Sequence, residues 1–249
     1  MLIYSLPITP AMKQLYAIIC LLFLLTKPLF AQTPTDSANV TPASRTALMA
    51  QLVALPCGIQ SADTKAIVLR KIKAYLTAYK PDPAQADDVY AKAAVVQALR
   101  GALTGGYGIG AVLVGGKGRI LHGAHNAQLQ RGRSDLHAEM NLLTEFESLP
   151  QFKKYQSKGN FTGGGNTIYT EQLRLYTSAE PCPMCFIRVA IVGVDTRYVS
   201  TGPDDGMNAR AACLPPFWAE LSQKHKIVAA KNRPVLQQLA HCLFYSFML

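Results

Sequence analysis

The sequence predicts an α/β protein, a mixed sheet covered by helices and preceded by a helical extension. Three observations predict it. Past Gly108, short apolar runs alternate with segments of helical spacing. Two of the runs, "IGAVLVGG" and "RILHGAHN", flank a Lys-Gly turn and read as a hairpin. The last two runs, "TRYVSTG" and "KIVAA", lie about 25 residues apart with a helical segment between them, a spacing that suits a parallel crossover.

Taken in order, residues 1–31 read as a signal peptide. Lys13 precedes an apolar run from Leu15 to Leu25, and Ala31 offers a small residue for cleavage. The run is short for a bilayer span, so no stable span is expected after processing. Leu29 suits the cleavage site poorly, and an uncleaved anchor is the alternative. Met12 is an alternative start, since the residues before it carry no charge. A periplasmic or secreted location follows. Residues 32–84 are a linker and helical extension. "QTPTDSANVTP" is polar, and "RTALMAQLVAL" is a short helix ended by Pro56 and Gly58. Ser61 is expected to cap a second helix, "ADTKAIVLRKIKAYLTAYK", stopped by Pro81 and Pro83.

Residues 85–249 carry the sheet. The helix "AQADDVYAKAAVVQALRGAL" ends in "TGGYG", whose glycines, like those of "GGKG", are turn chemistry at the ends of a strand. The hairpin follows, then the helix "LHAEMNLLTEF" and a Gly-rich loop over 150–168. The strand "LRLYTSA", the helix "CPMCFIRVAIVG" and the strand "TRYVSTG" come next. "PPFWAELSQKH" is a helix, "KIVAA" the last strand and "PVLQQLAHCLFYSF" the closing helix.

Composition narrows the class. Hydrophobic residues make up 49% of the chain, enough for a sizeable core and against general disorder. The formal charge is +10, which draws phosphates and anionic surfaces unless it merely solvates helix faces. Cleavage would remove two of these charges, Lys13 and Lys27, and leave +8. Of five cysteines then remaining, Cys57, Cys213 and Cys242 could form at most one disulfide in an oxidising compartment.

The remaining two stand in "SAEPCPMC". A Cys-x-x-Cys pair suits a redox dithiol, a structural metal clip or a catalytic site. The upstream "HAEM" decides among them. Cys182 and Cys185 open a helix after a strand, so both sulfurs face one way. His137 and Glu139 open another helix and can share the same sheet edge. Three ligands, His137, Cys182 and Cys185, leave a tetrahedral zinc ion one open position. A structural clip would use a fourth ligand and no acid. Glu139, two residues from a ligand, suits a proton shuttle beside the open position. A thiol oxidoreductase would leave His137 and Glu139 without a role.

His-x-Glu followed by Pro-Cys-x-x-Cys is the signature of zinc base deaminases. Over about residues 85–245 the chain resembles the cytidine-deaminase-like superfamily, closest to the branch of guanine deaminases and tRNA adenosine deaminases. "EPCPMC" is similar to that branch's second motif, and "GAHN" resembles its substrate-binding strand end. "VDTRYVS" and the helix before it are similar too. The resemblance implies a three-layer α/β/α fold with zinc on His137, Cys182 and Cys185. It implies proton transfer by Glu139 and base recognition by Asn126.

It further implies hydrolytic deamination of a nucleobase or nucleoside, with a guanine-like purine favoured. An exported deaminase of RNA or single-stranded DNA, and an inactive zinc-stabilised binding module, are the alternatives. Self-association into a homo-oligomer stays open. Departures from the branch bear on the substrate. "RGRSDLHAE" lacks the usual Asp-Pro pair, the 150–168 loop is long, and Arg188 stands where small residues are usual and could obstruct the pocket. Phe244, Tyr245 and Phe247 could cover the pocket or pack in the core.

Export is checked by intact mass. Protein recovered from the periplasm or medium should lack the residues up to about Ala31. Soluble cytoplasmic protein with an intact N-terminus would contradict it.

Overall fold

The computed structural model describes residues 43–156, 173–200 and 227–249, together with residues 216, 220 and 225. The expected signal peptide, the linker up to residue 42, the Gly-rich loop beyond residue 156, Cys213 and nearly all of the helix expected over 215–225 lie outside the described residues. Seven α-helices are described: α1 (Arg45–Val53), α2 (Lys65–Ala78), α3 (Asp88–Leu103), α4 (Gln128–Arg131), α5 (Ala138–Ser148), α6 (Pro183–Val192) and α7 (Pro234–Phe244). Five strands accompany them: β1 (Gly110–Val114), β2 (Ile120–His125), β3 (Arg174–Ala179), β4 (Asp195–Ser200) and β5 (Ile227–Ala229).

The sheet runs β2-β1-β3-β4-β5. β1 is antiparallel to both β2 and β3, and β3, β4 and β5 are parallel. The expected hairpin and the expected parallel last strands are both present. Side chains alternate between the sheet's faces. Val112, Val114, Tyr176 and Val199 pack in a cluster with α1, α2, α3 and α7. Ala111, Leu113, Leu175 and Tyr198 pack in a second cluster with α5 and α6. Helices therefore cover both faces, the expected three layers. α1 and α2 share their core with the strands. Gly110 lets β1 press on α3, since a Cβ there would collide with the backbone of Gln97 and Ala98. None of the described helices is long and apolar enough to cross a membrane.

Ser61 does not cap α2. Asp63 turns back instead, accepting from the Gln60 N–H at 2.8 Å and from Lys71 Nζ at 2.7 Å. That turn moves the N-cap to Thr64. Ser44 does cap α1, its hydroxyl accepting from the Ala47 N–H at 3.2 Å. Cys57 and Cys242 are free thiols. Burial pushes Cys57 up to about 11 and Cys242 up to about 12, which favours the thiol over the thiolate in both.

Two buried aspartates at the start of α3 tie the layers together. Asp87 accepts from the Tyr176 hydroxyl (2.6 Å), Arg197 Nη1 (2.9 Å) and the Lys231 N–H (2.8 Å). Asp88 accepts from the Tyr79 hydroxyl (2.7 Å) and the N–H groups of Asp82 and Arg233 (2.8 Å each). One carboxylate thus joins α3 to β3, β4 and the segment after β5. Its neighbour joins α3 to the end of α2 and the start of α7.

Burial opposes the charge on Asp87, but its bonds from Tyr176, Lys231 and Arg197 outweigh burial and hold the carboxyl below its usual range. A lowered pKa adds stability above the unfolded carboxylate value, and that stability is lost as pH falls through the folded value. Asp87→Ala should cost about 3–5 kcal/mol of unfolding free energy in a urea titration, because Arg197 loses a buried partner. Asp87→Asn should unfold less steeply than the parent as pH falls below about 4.

Candidate metal and catalytic centre

The site is built where two strands end. β2 and β3 point the same way, so their carboxyl ends reach one edge of the sheet. Beyond β2 the chain makes a loop and then α5, whose N-cap is His137. Beyond β3 it makes "EP" and then α6, whose N-cap is Cys182. Pro183 at N1 fits, since that N–H has no helical partner. Cys185 then falls in the first turn and is fully buried.

The nitrogen of His137 and the sulfurs of Cys182 and Cys185 lie within 4.8 Å of one another. His137 Nδ1 is 3.6 Å from Cys182 Sγ. A tetrahedral zinc ion with ordinary Zn–N and Zn–S bonds separates such a pair by roughly 3.5 Å, so the group fits zinc. Among the described residues it is the one His/Cys/Asp/Glu group able to hold a metal ion.

The electrostatics set the two sulfurs apart. The Cys182 sulfur is pulled down to about 4, first by the Cys185 thiol and, against burial, by His137. Cys185 is pushed well up by its bond to Cys182, by burial and by Glu139. His137 is raised by Cys182. Negative charge therefore collects on one sulfur beside a thiol and an imidazole. Both sulfurs also lie at the positive end of α6.

Glu139 sits in the first turn of α5 with 3% of its surface exposed. Burial raises its pKa. Oε2 accepts from Cys185 Sγ at 3.4 Å, and Oε1 accepts from Thr177 Oγ1 at 2.8 Å. The structure thus brings His137, Glu139, Cys182 and Cys185 to one place.

Asn126 follows β2 at the same edge and is completely buried. Its N–H donates to the Ile109 carbonyl at 2.9 Å. Its Nδ2 donates to Gln128 Oε1 at 2.7 Å, and its Oδ1 accepts from the Gln128 N–H at 3.0 Å. A carboxamide has two donor hydrogens and two lone pairs, so one of each remains.

Sequence reasoning missed three supports. Gln128 lies in α4, a short helix inside what reads as a loop. Asn141 clamps that loop, donating to the carbonyls of His125 (2.9 Å) and Leu136 (3.3 Å). Thr177 is the third. Its one signal is a hydroxyl inside a buried strand run.

Two open alternatives are narrowed. Arg188 does not obstruct the site. Its Nη2 lies 2.6 Å from Glu147 Oε2, near the far end of α5 from Glu139. Tyr245 is core. Phe244 packs against the same core, and Phe244 and Phe247 flank Tyr107, with ring centroids 6.3 and 5.3 Å away. Tyr107 lies two residues before Ile109, and Phe247 is 45% exposed. This aromatic group therefore borders the strand end that carries Asn126. Arg188→Met should lower stability by at most about 1 kcal/mol and leave metal content unchanged, as read by denaturation and elemental analysis.

Residues 84–201 match the family model for the cytidine and deoxycytidylate deaminase zinc-binding region. The tRNA-specific adenosine deaminase of Bacillus subtilis (strain 168) is 34% identical over 109 residues, 44% of this chain and 58% of that relative. The chain thus spans under two thirds of the relative's length. Among solved structures, guanine deaminase from Nitrosomonas europaea aligns at 16% identity over 70% of this chain and 91% of its own, with a TM-score of 0.46. A structure from work on A-to-I editing by tRNA:A34 deaminases aligns at 18% identity over 57% and 97%, with a TM-score of 0.44. The span matched by the family model contains Asn126, His137, Glu139, Cys182 and Cys185. Residues 84–201 are thus similar to the zinc-binding region of cytidine and deoxycytidylate deaminases, over just under half of the chain.

Proposed function

We propose that the protein is a zinc-dependent hydrolase that deaminates a nucleobase or nucleoside, with a purine as the favoured substrate. The observation that carries this is the buried Glu139 carboxylate beside a group of three metal ligands. Three ligands suit a catalytic zinc, and an adjacent acid that is not a ligand suits proton transfer.

His137, Cys182 and Cys185 would hold the zinc. When bound, zinc brings the pKa of water towards neutrality and so supplies a nucleophile at ordinary pH. Asn126 hydrogen-bonds the edge of the base with its remaining donor and lone pair. Water adds to the amidine carbon of that base. Glu139 takes one proton from the water and delivers it to the ring nitrogen, then takes the second from the hydroxyl now on carbon and delivers it to the departing amine. The carbon–nitrogen bond breaks, ammonia leaves and a carbonyl remains. Glu139 does this well because it is buried, where no solvent competes for its proton.

Two features support a purine. The curated relative acts on adenosine, and "EPCPMC" with "GAHN" resembles the purine branch. The aromatic group of Tyr107, Phe244 and Phe247 offers a flat base a stacking surface. A second reading, deamination within RNA, is favoured by the relative's tRNA substrate and by the +10 charge. The apolar segment before Ala31 supports work in the periplasm or outside the cell.

Metal-replete protein should release ammonia from guanine or a related aminopurine more efficiently than from RNA or single-stranded DNA, with product mass identifying the base. Salt-sensitive release from an oligonucleotide alone would reverse that ranking. Glu139→Ala should keep close to one zinc per chain and lose at least ~10²–10⁴ in rate. Cys182→Ala should lose zinc and stability together. Full zinc in Cys182→Ala would rule out the ligand set.

A further inference from the structure

We propose that Thr177 is a positioning residue for Glu139. Its hydroxyl holds one carboxylate oxygen and thereby aims the other at the His137, Cys182 and Cys185 group. The inference rests on the deaminase reading and names how this chain orients its proton carrier.

Thr177 sits on β3 between Ala111 of β1 and Tyr198 of β4. It shares a face with Leu175, against α5, where the neighbouring buried positions are apolar. An apolar residue would pack there equally well. Instead a hydroxyl is present, with none of the residue exposed. A hydroxyl that deep needs a partner. It has one across 38 residues of sequence, donating to Glu139 Oε1 at 2.8 Å.

The bond matters because the last torsion of a carboxylate is soft, so its plane turns easily. Glu139 is too buried for water to hold that plane. Thr177 holds it by binding Oε1, and Oε2 then faces Cys185 at 3.4 Å. The strand fixes Thr177, and α5 fixes the backbone of Glu139. The carboxylate is thus held at both ends of its side chain, and the oxygen that moves protons is preset.

The test pairs Thr177→Val, which keeps the shape and removes the donor, with Thr177→Ser, which keeps the donor. Thr177→Val should lower kcat roughly 10- to 100-fold with KM little changed and zinc content intact. Thr177→Ser should recover most of that loss. Independently of turnover, Thr177→Val should lower Tm when Glu139 is present and not in a Glu139→Ala background, where the hydroxyl has lost its acceptor. Wild-type kcat in Thr177→Val, or an equal Tm shift in both backgrounds, would overturn the proposal. A wild type that deaminates no substrate would overturn the deaminase reading itself. The thermal cycle would then still decide whether the bond exists.

Discussion

The site depends on one topological constraint: β2 and β3 run in the same direction on either side of β1. Two strands that both oppose a third must end at the same edge. Each is followed by a helix on the same face of the sheet. The starts of α5 and α6 therefore meet, and with them His137 and Cys182, 45 residues apart in sequence. Reversing either strand would send one ligand to the opposite edge.

That meeting concentrates charge in a dry place. Two helix N-termini point at a cysteine sulfur, an imidazole and a buried carboxylate. Unpaired, such groups would strain the fold, since each charge has left water. The structure answers with local partners. Thr177 and Cys185 bond Glu139, His137 faces Cys182, and Asn141 ties the loop before His137 to α5. A divalent cation among the three ligands would complete this arrangement. The other face carries the mechanical load. There Asp87 and Asp88 bind α3 to both ends of the chain's fold, well removed from the reactive groups.

How much of this could be read in the sequence depends on the reach of each interaction. His137, Glu139, Cys182 and Cys185 were legible because spacing within one helical turn carries their chemistry. Asn126 was legible only through resemblance to known strand ends. The strands and most helices follow from apolar spacing, and the parallel end of the sheet from the length of its crossover. Ser61 misled because a cap depends on which nearby side chain wins the turn, and Asp63 with Lys71 won it. Arg188 stayed open because its direction depends on Glu147, 41 residues away. Thr177 and Asn141 were silent for the same reason. Each is an ordinary residue until the fold gives it a partner.

The central claim is that one histidine and two cysteines hold zinc and leave it open to water. Zinc K-edge X-ray absorption on the purified protein measures this directly. The account predicts two sulfur scatterers at about 2.3 Å and two nitrogen or oxygen scatterers near 2.0 Å, one of them exchangeable. A shell of four sulfurs, or protein that stays free of zinc when supplied with it, would contradict the account.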